Sequence, residues 1–253
     1  MNPPDHVEEQ IDYYRARAPH YEDWWFRRGV HDFGPEFEKA WSAEVAGLDE
    51  WFDSLPLEGA TILELAGGTG VWTSKLARVA SHLTVVDSSP EALDINRRRR
   101  GSARVGFVEA NIFEWEPGRT FDRVFFSFWL SHVPESRFAE FWDLVRRCLN
   151  PGGMAVLIDN AHPEFAAGSG PPEVSDPSAV TRPTGTVADL DGGLSLRAVE
   201  DGRSFTIVKR YWLIDDLTAR LANLGWAAQL GHTRWAFIRG TAQFHDDQTE
   251  DET

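Results

Sequence analysis

The chain has 253 residues, a formal net charge of −15, 42% hydrophobic residues and one cysteine, Cys148. The length suits a single substantial core, the acidity argues against a nucleic-acid substrate because a phosphate backbone calls for a basic surface, and a lone cysteine excludes an internal disulfide or a cysteine-cluster metal site. No apolar run reaches the ~18 residues of a membrane span, and the polar opening MNPPDHVEEQ is neither a signal nor a transit peptide, so a soluble cytoplasmic protein that does not engage a membrane is expected.

Residues 1–57 read as helical and precede the repeating strand and helix pattern. Val7, Ile11, Tyr14 and Ala18 recur at helical spacing until Pro19 ends or kinks the helix. An aromatic stretch follows with Tyr21, Trp24, Trp25, Phe26, His31 and Phe33. Gly34 and Pro35 break it, and Phe37, Trp41, Val45, Leu48 and Phe52 set a second helix over about 36–52. This region is expected to form a cap over a ligand cleft, with its aromatics either lining that cleft or docking the cap.

The organising stretch is TILELAGGTGVWT, residues 61–73. A β-branched and aliphatic run breaks into Ala66, Gly67, Gly68, Thr69 and Gly70, and Val71, Trp72, Leu76, Ala77, Val79 and Ala80 then fall on one side of a helix. Glycines suit a backbone that must turn tightly and approach a ligand. The dinucleotide fingerprint G-x-G-x-x-G is broken at Thr73, and no Gly-Lys-Ser/Thr follows for a Walker loop.

A second buried strand over 83–86 ends at Asp87, whose carboxylate at a strand tip can accept from both hydroxyls of a ribose. The alternative, a helix cap, fits Ser88 or Ser89 before Pro90. A helix over 90–99, closing on the basic run 97–100, leads to a third strand over 104–108, then Asn111, Ile112 and Phe113. The fourth strand, 123–126, delivers Ser127, Phe128, Trp129 and His132 at its tip. His132 either takes a proton from an acceptor or packs against the next helix start. That helix, 135–149, ends in Asn-Pro-Gly-Gly before a fifth strand over 154–159.

Residues 161–193 read as a long loop rich in Pro, Gly, Ser and Thr. Two strands, 194–200 and 204–210, then make a hairpin about a two-residue Asp201-Gly202 turn. A helix over 214–224 stops at Gly225, and strands over 226–230 and 234–239 run antiparallel to each other. The expected organisation is a cap (1–57), one α/β domain (58–240) with an insertion at 161–210, and an acidic disordered tail (241–253).

Taken together, the strand tips and glycine turns over about 60–160 resemble class I S-adenosylmethionine-dependent methyltransferases. The acidic Glu64 before a G-x-G core, the helix followed by Pro-Gly-Gly and an apolar strand, and the segment YYRARAPHYEDWW all resemble features of that family, in its small-molecule type. The resemblance implies a doubly wound, seven-stranded, mostly parallel sheet with an antiparallel last strand, an N-terminal helical cap, and S-adenosylmethionine as cofactor. It assigns to the cofactor Tyr14, Tyr21, Glu64, Ala66, Gly67, Gly68, Gly70, Trp72, Asp87, Ser88, Asn111, Ile112, Phe113 and Phe128. Asn111 stands where the family usually has an acid, and its amide oxygen can still accept from an adenine amino group.

His132 is the candidate base, Trp24, Trp25, His31 and Trp129 are candidates for holding the acceptor, and no metal is expected. The fourth strand lacks the Asn/Asp-Pro-Pro-aromatic tetrapeptide of amino-methyltransferases acting on bases or glutamine. The expected reaction is methylation, on oxygen or nitrogen, of a small apolar or aromatic molecule. Carbon methylation of a quinone-like ring and a non-catalytic cofactor-binding protein are the alternatives. A nicotinamide-dependent oxidoreductase is disfavoured by Thr73 and by the antiparallel ending.

Overall fold

The structure, a computed structural model, describes residues 5–100, 104–169, 186–190 and 192–245. Its strands in chain order are β1 (Thr61–Leu65), β2 (His82–Asp87), β3 (Val105–Glu109), β4 (Phe121–Ser127), β5 (Leu149–Asn160), β6 (Thr186–Leu190), β7 (Leu194–Ala198), β8 (Ser204–Val208), β9 (Trp226–His232) and β10 (Phe237–Phe244). Seven of them form one sheet in the order β3-β2-β1-β4-β5-β10-β9, and β6-β7-β8 form a small second sheet. β1 pairs in parallel with both β2 and β4, whereas β10 is antiparallel to β5 and β9, so β10 alone runs against the rest. The strand order reverses between β1 and β4, and in a doubly wound sheet the ligand crevice opens at the carboxyl ends of the strands there.

The central strands are apolar on both faces because both faces are covered. On one face Ile62, Val85 and Phe125 pack with Trp41, Leu48 and Phe52 of α3 (Pro35–Asp53) and Leu76 of α4 (Thr73–Val79). On the other, Leu63, Leu65 and Phe126 meet Phe141, Trp142 and Val145 of α6 (Phe138–Cys148) and Leu217 and Leu221 of α8 (Ile214–Asn223). The alternation of Ile62 and Leu63 between the two layers follows the period of a strand. Cys148 lies in the second layer, and burial pushes its thiol up to about 12, which makes it an inert core residue.

Several boundaries differ from the sequence reading. α3, expected in the cap, covers a sheet face instead, because Phe37, Trp41, Leu48 and Phe52 form a stripe that only the sheet can bury. Its buried Glu44 accepts the backbone N–H groups of Trp235 (3.3 Å) and Ala236 (3.0 Å), pinning the turn into β10. The glycine loop runs on to Trp72, and α4 starts only at Thr73. The Pro-Gly-Gly reversal is an excursion inside β5: the pairing jumps from Phe121–Leu149 to Arg123–Met154, with Gly152 at φ 74. The 161–193 stretch contains α7 (Pro163–Ser169) and β6, which makes the expected hairpin a three-stranded sheet; residues 170–185 lie outside the described part.

The reversal between β7 and β8 takes three residues rather than two, since the Val199 N–H bonds to the Arg203 carbonyl (3.0 Å). β10 extends to Phe244, so residues 241–244, expected in the tail, pair with β9, and the tail itself lies outside the described residues from 246 onward.

Over the strand tips lie α1 (Val7–Arg17) and α2 (Tyr21–Trp25). α1 rests on the small sheet through Tyr13, Phe205 and Ile207. Gln10 clamps it there, its Oε1 accepting the Val208 N–H (3.2 Å) and its Nε2 donating to the His132 carbonyl (3.1 Å). On the other side Arg15 pairs with Glu91 (3.2 Å) of α5 (Pro90–Arg100). That pair is exposed and adds little stability, so buried packing and the Gln10 clamp hold the cap.

Candidate active site

The loop between β1 and α4 is built from residues in unusual backbone conformations. Ala66 and Gly68 both sit at φ 53 and Gly70 at φ 94. A Cβ on Gly67 would fall 2.4 Å from Val85 Cγ1 and one on Gly70 2.4 Å from Asn96 Oδ1, so these two glycines serve close packing beneath the loop. A Cβ on Gly68 would meet nothing within 4 Å, which marks the open side.

Asp87 at the end of β2 ties the loop down. One carboxylate oxygen accepts the Gly68 N–H (2.8 Å) and the other the Ser89 N–H (2.8 Å). Burial raises its pKa, and those backbone donors pull it back. Ser89, through its hydroxyl, accepts the Ala92 N–H (3.1 Å) and takes the capping role, which leaves Asp87 facing the cleft.

One cleft gathers these parts. Ala66, Gly68 and Thr69 form its floor; Asp87, Ser88, Ser89 and Ala92 one end; Asn111 and Ile112 a side; and Ser127, Phe128, Trp129 and His132 the far wall. Val7, Gln10, Ile11, Tyr14, Ala18 and Tyr21 close it from above. With the open space at its mouth it spans about 720 Å³. Phe128, like Ala66, takes a left-handed conformation at φ 52, a strain that persists only where the surroundings impose it.

Other residues assigned from sequence lie elsewhere. Trp72 is 2% exposed and packs on Phe52 and Phe125 in the core, and Trp25 packs against Trp41 and Trp72. Phe113 lies behind Trp129, under the Arg137 guanidinium. His31 lines an outer groove between the cap and the β7–β8 turn and, through burial and the nearby Arg27, is lowered to about 4. Ser127, expected at the tip of the fourth strand, lines the cleft, and so do Thr69 and Gln10, which had no assigned role; for Thr69 the signal was present, since it sits between Gly68 and Gly70.

Glu64 also faces away from the cleft. It is buried, accepts the Thr73 hydroxyl (2.6 Å), and burial raises its pKa to about 8. A carboxyl whose folded pKa lies above its unfolded value contributes stability that is complete below the unfolded pKa, near 4.5, and is lost as pH rises through about 8. Glu64→Gln is therefore expected to unfold nearly like the parent at pH 5 and to be more stable at pH 8, by roughly 3–4 kcal/mol. Denaturant melts at the two pH values check this, and a gap that does not widen with pH would refute it.

A second, smaller cavity continues from the cleft. It shares Tyr14, Tyr21, Phe128 and His132 with the cleft and adds Arg17, Trp24, Asn160 and Lys209. At the junction the Tyr14 hydroxyl lies 2.7 Å from His132 Nε2, and His132 Nδ1 lies 2.6 Å from the Val208 carbonyl oxygen. A carbonyl only accepts, so Nδ1 carries the proton and Nε2 is the free base that accepts from Tyr14. Burial and the charges of Lys209, Arg197 and Arg17 hold His132 well below its usual range, and burial raises Tyr14 well above its own. Both are neutral near pH 7.

A glycine turn after β1, a carboxylate on the tip of β2, a crevice at the β1–β4 switch and an antiparallel β10 define the class: an adenosyl-binding methyltransferase fold. Two buried polar atoms without a partner, Thr69 Oγ1 and Trp129 Nε1, belong to residues lining the cleft, and such groups cost free energy unless a ligand or water meets them. The residues present therefore fit a polar nucleoside cofactor.

Comparison with known proteins agrees. Residues 62–153 match a family described as a methyltransferase domain. The solved complex of DhpI with SAH is 32% identical, covers 95% of this chain and 98% of its own, and superposes with a TM-score of 0.72; a DhpI–SAM–HEP complex is equally similar. The cypemycin N-terminal methyltransferase of a Streptomyces species is 35% identical over 144 residues, 55% of this chain and 56% of that protein. A demethylmenaquinone methyltransferase of Clavibacter sepedonicus is 37% identical over 110 residues, 43% and 44% of the two chains. The chain thus spans about half the length of these curated relatives. It belongs to the class I S-adenosylmethionine-dependent methyltransferases, and its cofactor is S-adenosylmethionine. Among the described residues no helix is long and apolar enough to cross a membrane.

Proposed function

We propose that this protein methylates an oxygen or nitrogen of a small molecule seated in the cavity beside His132. The observation that carries the reading is the Tyr14–His132 pair placed where cleft and cavity join. Asp87, Ser88, Gly68, Thr69, Asn111 and Ile112 would hold the adenosyl part of the cofactor, and Phe128, Trp129, Tyr14 and Tyr21 its sulfonium end. S-adenosylmethionine, when bound, supplies an electrophilic methyl group.

The chain contributes alignment and dryness, which are the main requirements of a displacement at an already activated carbon. Tyr14 can accept the acceptor's proton on its oxygen as it hands its own to His132 Nε2, while the Val208 carbonyl keeps the ring in the right tautomer. Trp24 and Phe128 wall the cavity with rings 5.2 Å apart, which supports an acceptor with an apolar portion.

Titration calorimetry with S-adenosylmethionine, followed by an acceptor screen using a labelled methyl group, tests the reading. The expected result is cofactor binding and label transfer to a small hydroxylated or amino compound. Tight cofactor binding with no label transfer across such compounds would instead support a non-catalytic binding protein.

A further inference from the structure

One wall of the inner cavity carries a hydrogen-bond donor that the protein itself does not use. Asn160 closes β5, pairs with Phe237 of β10 and is 6% exposed. Two positions earlier, Ile158 packs in the layer that also holds Trp24 and Phe237. The alternation of a strand turns Asn160 to that same side, and there it borders the inner cavity together with Tyr14, Tyr21, Trp24 and Phe128.

The two ends of its amide are told apart by chemistry. One end lies 2.9 Å from Lys209 Nζ, and an ammonium only donates, so that end is Oδ1. Nδ2 is therefore the other end, and among the described residues nothing accepts its N–H groups. The ring of Phe128 has no acceptor, the indole of Trp24 has only a donor, and the Tyr14 hydroxyl is engaged with His132. A buried donor left unmet costs free energy unless a ligand or water joins it. Its place in the sheet says which ligand. Ala66, Gly68 and Asp87, at the tips of β1 and β2, line the main cleft, whereas Asn160 ends β5, beyond β4, and borders the inner cavity and not that cleft.

We propose that Asn160 determines specificity for the methyl acceptor: its Nδ2 donates to a carbonyl oxygen that the acceptor carries in addition to the atom methylated at the Tyr14 hydroxyl. This rests on the methyltransferase reading above and deepens it, since the acceptor becomes a small carbonyl compound with an apolar portion. A carbonyl only accepts, so it meets the amide N–H without bringing a proton of its own among the rings of Trp24 and Phe128. A site built around such a donor rejects an analogue that lacks the oxygen, because the analogue would seal the N–H away from water with nothing in return.

The test uses two pairs of phenols that differ only in whether a ketone oxygen is present, 4-hydroxyacetophenone against 4-ethylphenol and 3-hydroxyacetophenone against 3-ethylphenol. Each is titrated by calorimetry into the protein saturated with S-adenosylhomocysteine. In at least one pair the ketone is expected to bind at least about tenfold more tightly. Asn160→Asp keeps the size of the side chain and an oxygen for Lys209 but has no N–H to give, so the preference should fall to within about threefold, and Asn160→Ala should remove it likewise. Affinity for S-adenosylhomocysteine should stay within about threefold in both variants, which also reports that they fold. A parent that binds neither ketone more tightly than its ethyl counterpart would overturn the proposal and leave Nδ2 to a water. A preference that survives in both variants would overturn it by placing the carbonyl against another group. In both cases S-adenosylhomocysteine still binds and the methyltransferase reading stands. Failure of the parent to bind S-adenosylhomocysteine at all would overturn the reading itself.

Discussion

Asp87→Asn is expected to raise the dissociation constant for S-adenosylmethionine by about 10- to 100-fold while the unfolding midpoint moves little. The carboxylate now accepts the Gly68 and Ser89 N–H groups, one on each oxygen, and lines the cleft with further acceptor capacity on both oxygens. An amide has one acceptor oxygen in place of two, so the substitution must turn an N–H₂ group either toward a backbone donor or toward the ribose. Loss of one charge-assisted bond to a ligand is worth about 1.5–3 kcal/mol, and tenfold in affinity corresponds to about 1.4 kcal/mol. Asn keeps the size of the side chain, so core packing is undisturbed. Calorimetry and a melt on the same preparation separate the two effects. Unchanged cofactor affinity would remove Asp87 from the site.

The second large effect is on turnover. Tyr14→Phe and His132→Ala are each expected to lower kcat by about 10²- to 10⁴-fold, the usual reach of acid–base assistance, with cofactor affinity nearly constant in Tyr14→Phe because the ring is kept. The two losses should not add, since proton transfer runs through both groups in series. His132 titrates well below its ordinary value of 6.5, because burial and the cations around it disfavour imidazolium. The working form is neutral, so kcat should be flat from about pH 6.5 upward and fall only on the acid side as Nε2 is protonated. An acid limb centred above 6.5, or Tyr14→Phe with full turnover, would exclude the pair from proton transfer and leave it a structural tie between α1 and the tip of β4.

Much of the lining of the main cleft was legible because it is local. Ala66, Gly68, Asp87, Ser88, Asn111, Ile112 and Phe128 stand at the ends of strands or in the turns just after them, and in a parallel sheet every such tip faces the same crevice. The same reasoning misplaced residues whose direction is set by packing. Trp72 follows the loop immediately yet turns back into the core, and Gly67 and Gly70 serve the space beneath the loop rather than above it.

The inner cavity was barely legible. Gln10 and Arg17 are polar residues between the apolar positions of α1, and Lys209 is a polar residue of the expected strand 204–210, so no local pattern marks them. All three turn inward because α1 is laid across the strand tips and the small sheet closes beside it, so a polar stripe on one element becomes the lining between two.

By itself, then, the sequence determined the central strands, the glycine loop and the acidic strand tip, since these follow from periodicity and turn chemistry over a few residues, while the sheet order and the cofactor class came from the family that those motifs resemble. Tertiary structure alone decided that Tyr14 meets His132 across 118 positions, that His132 reaches Val208 across 76, and that Lys209 meets Asn160 across 49. No local pattern encodes such pairings. They arise when buried polar groups must find partners in whatever segments the packing of the core brings against them.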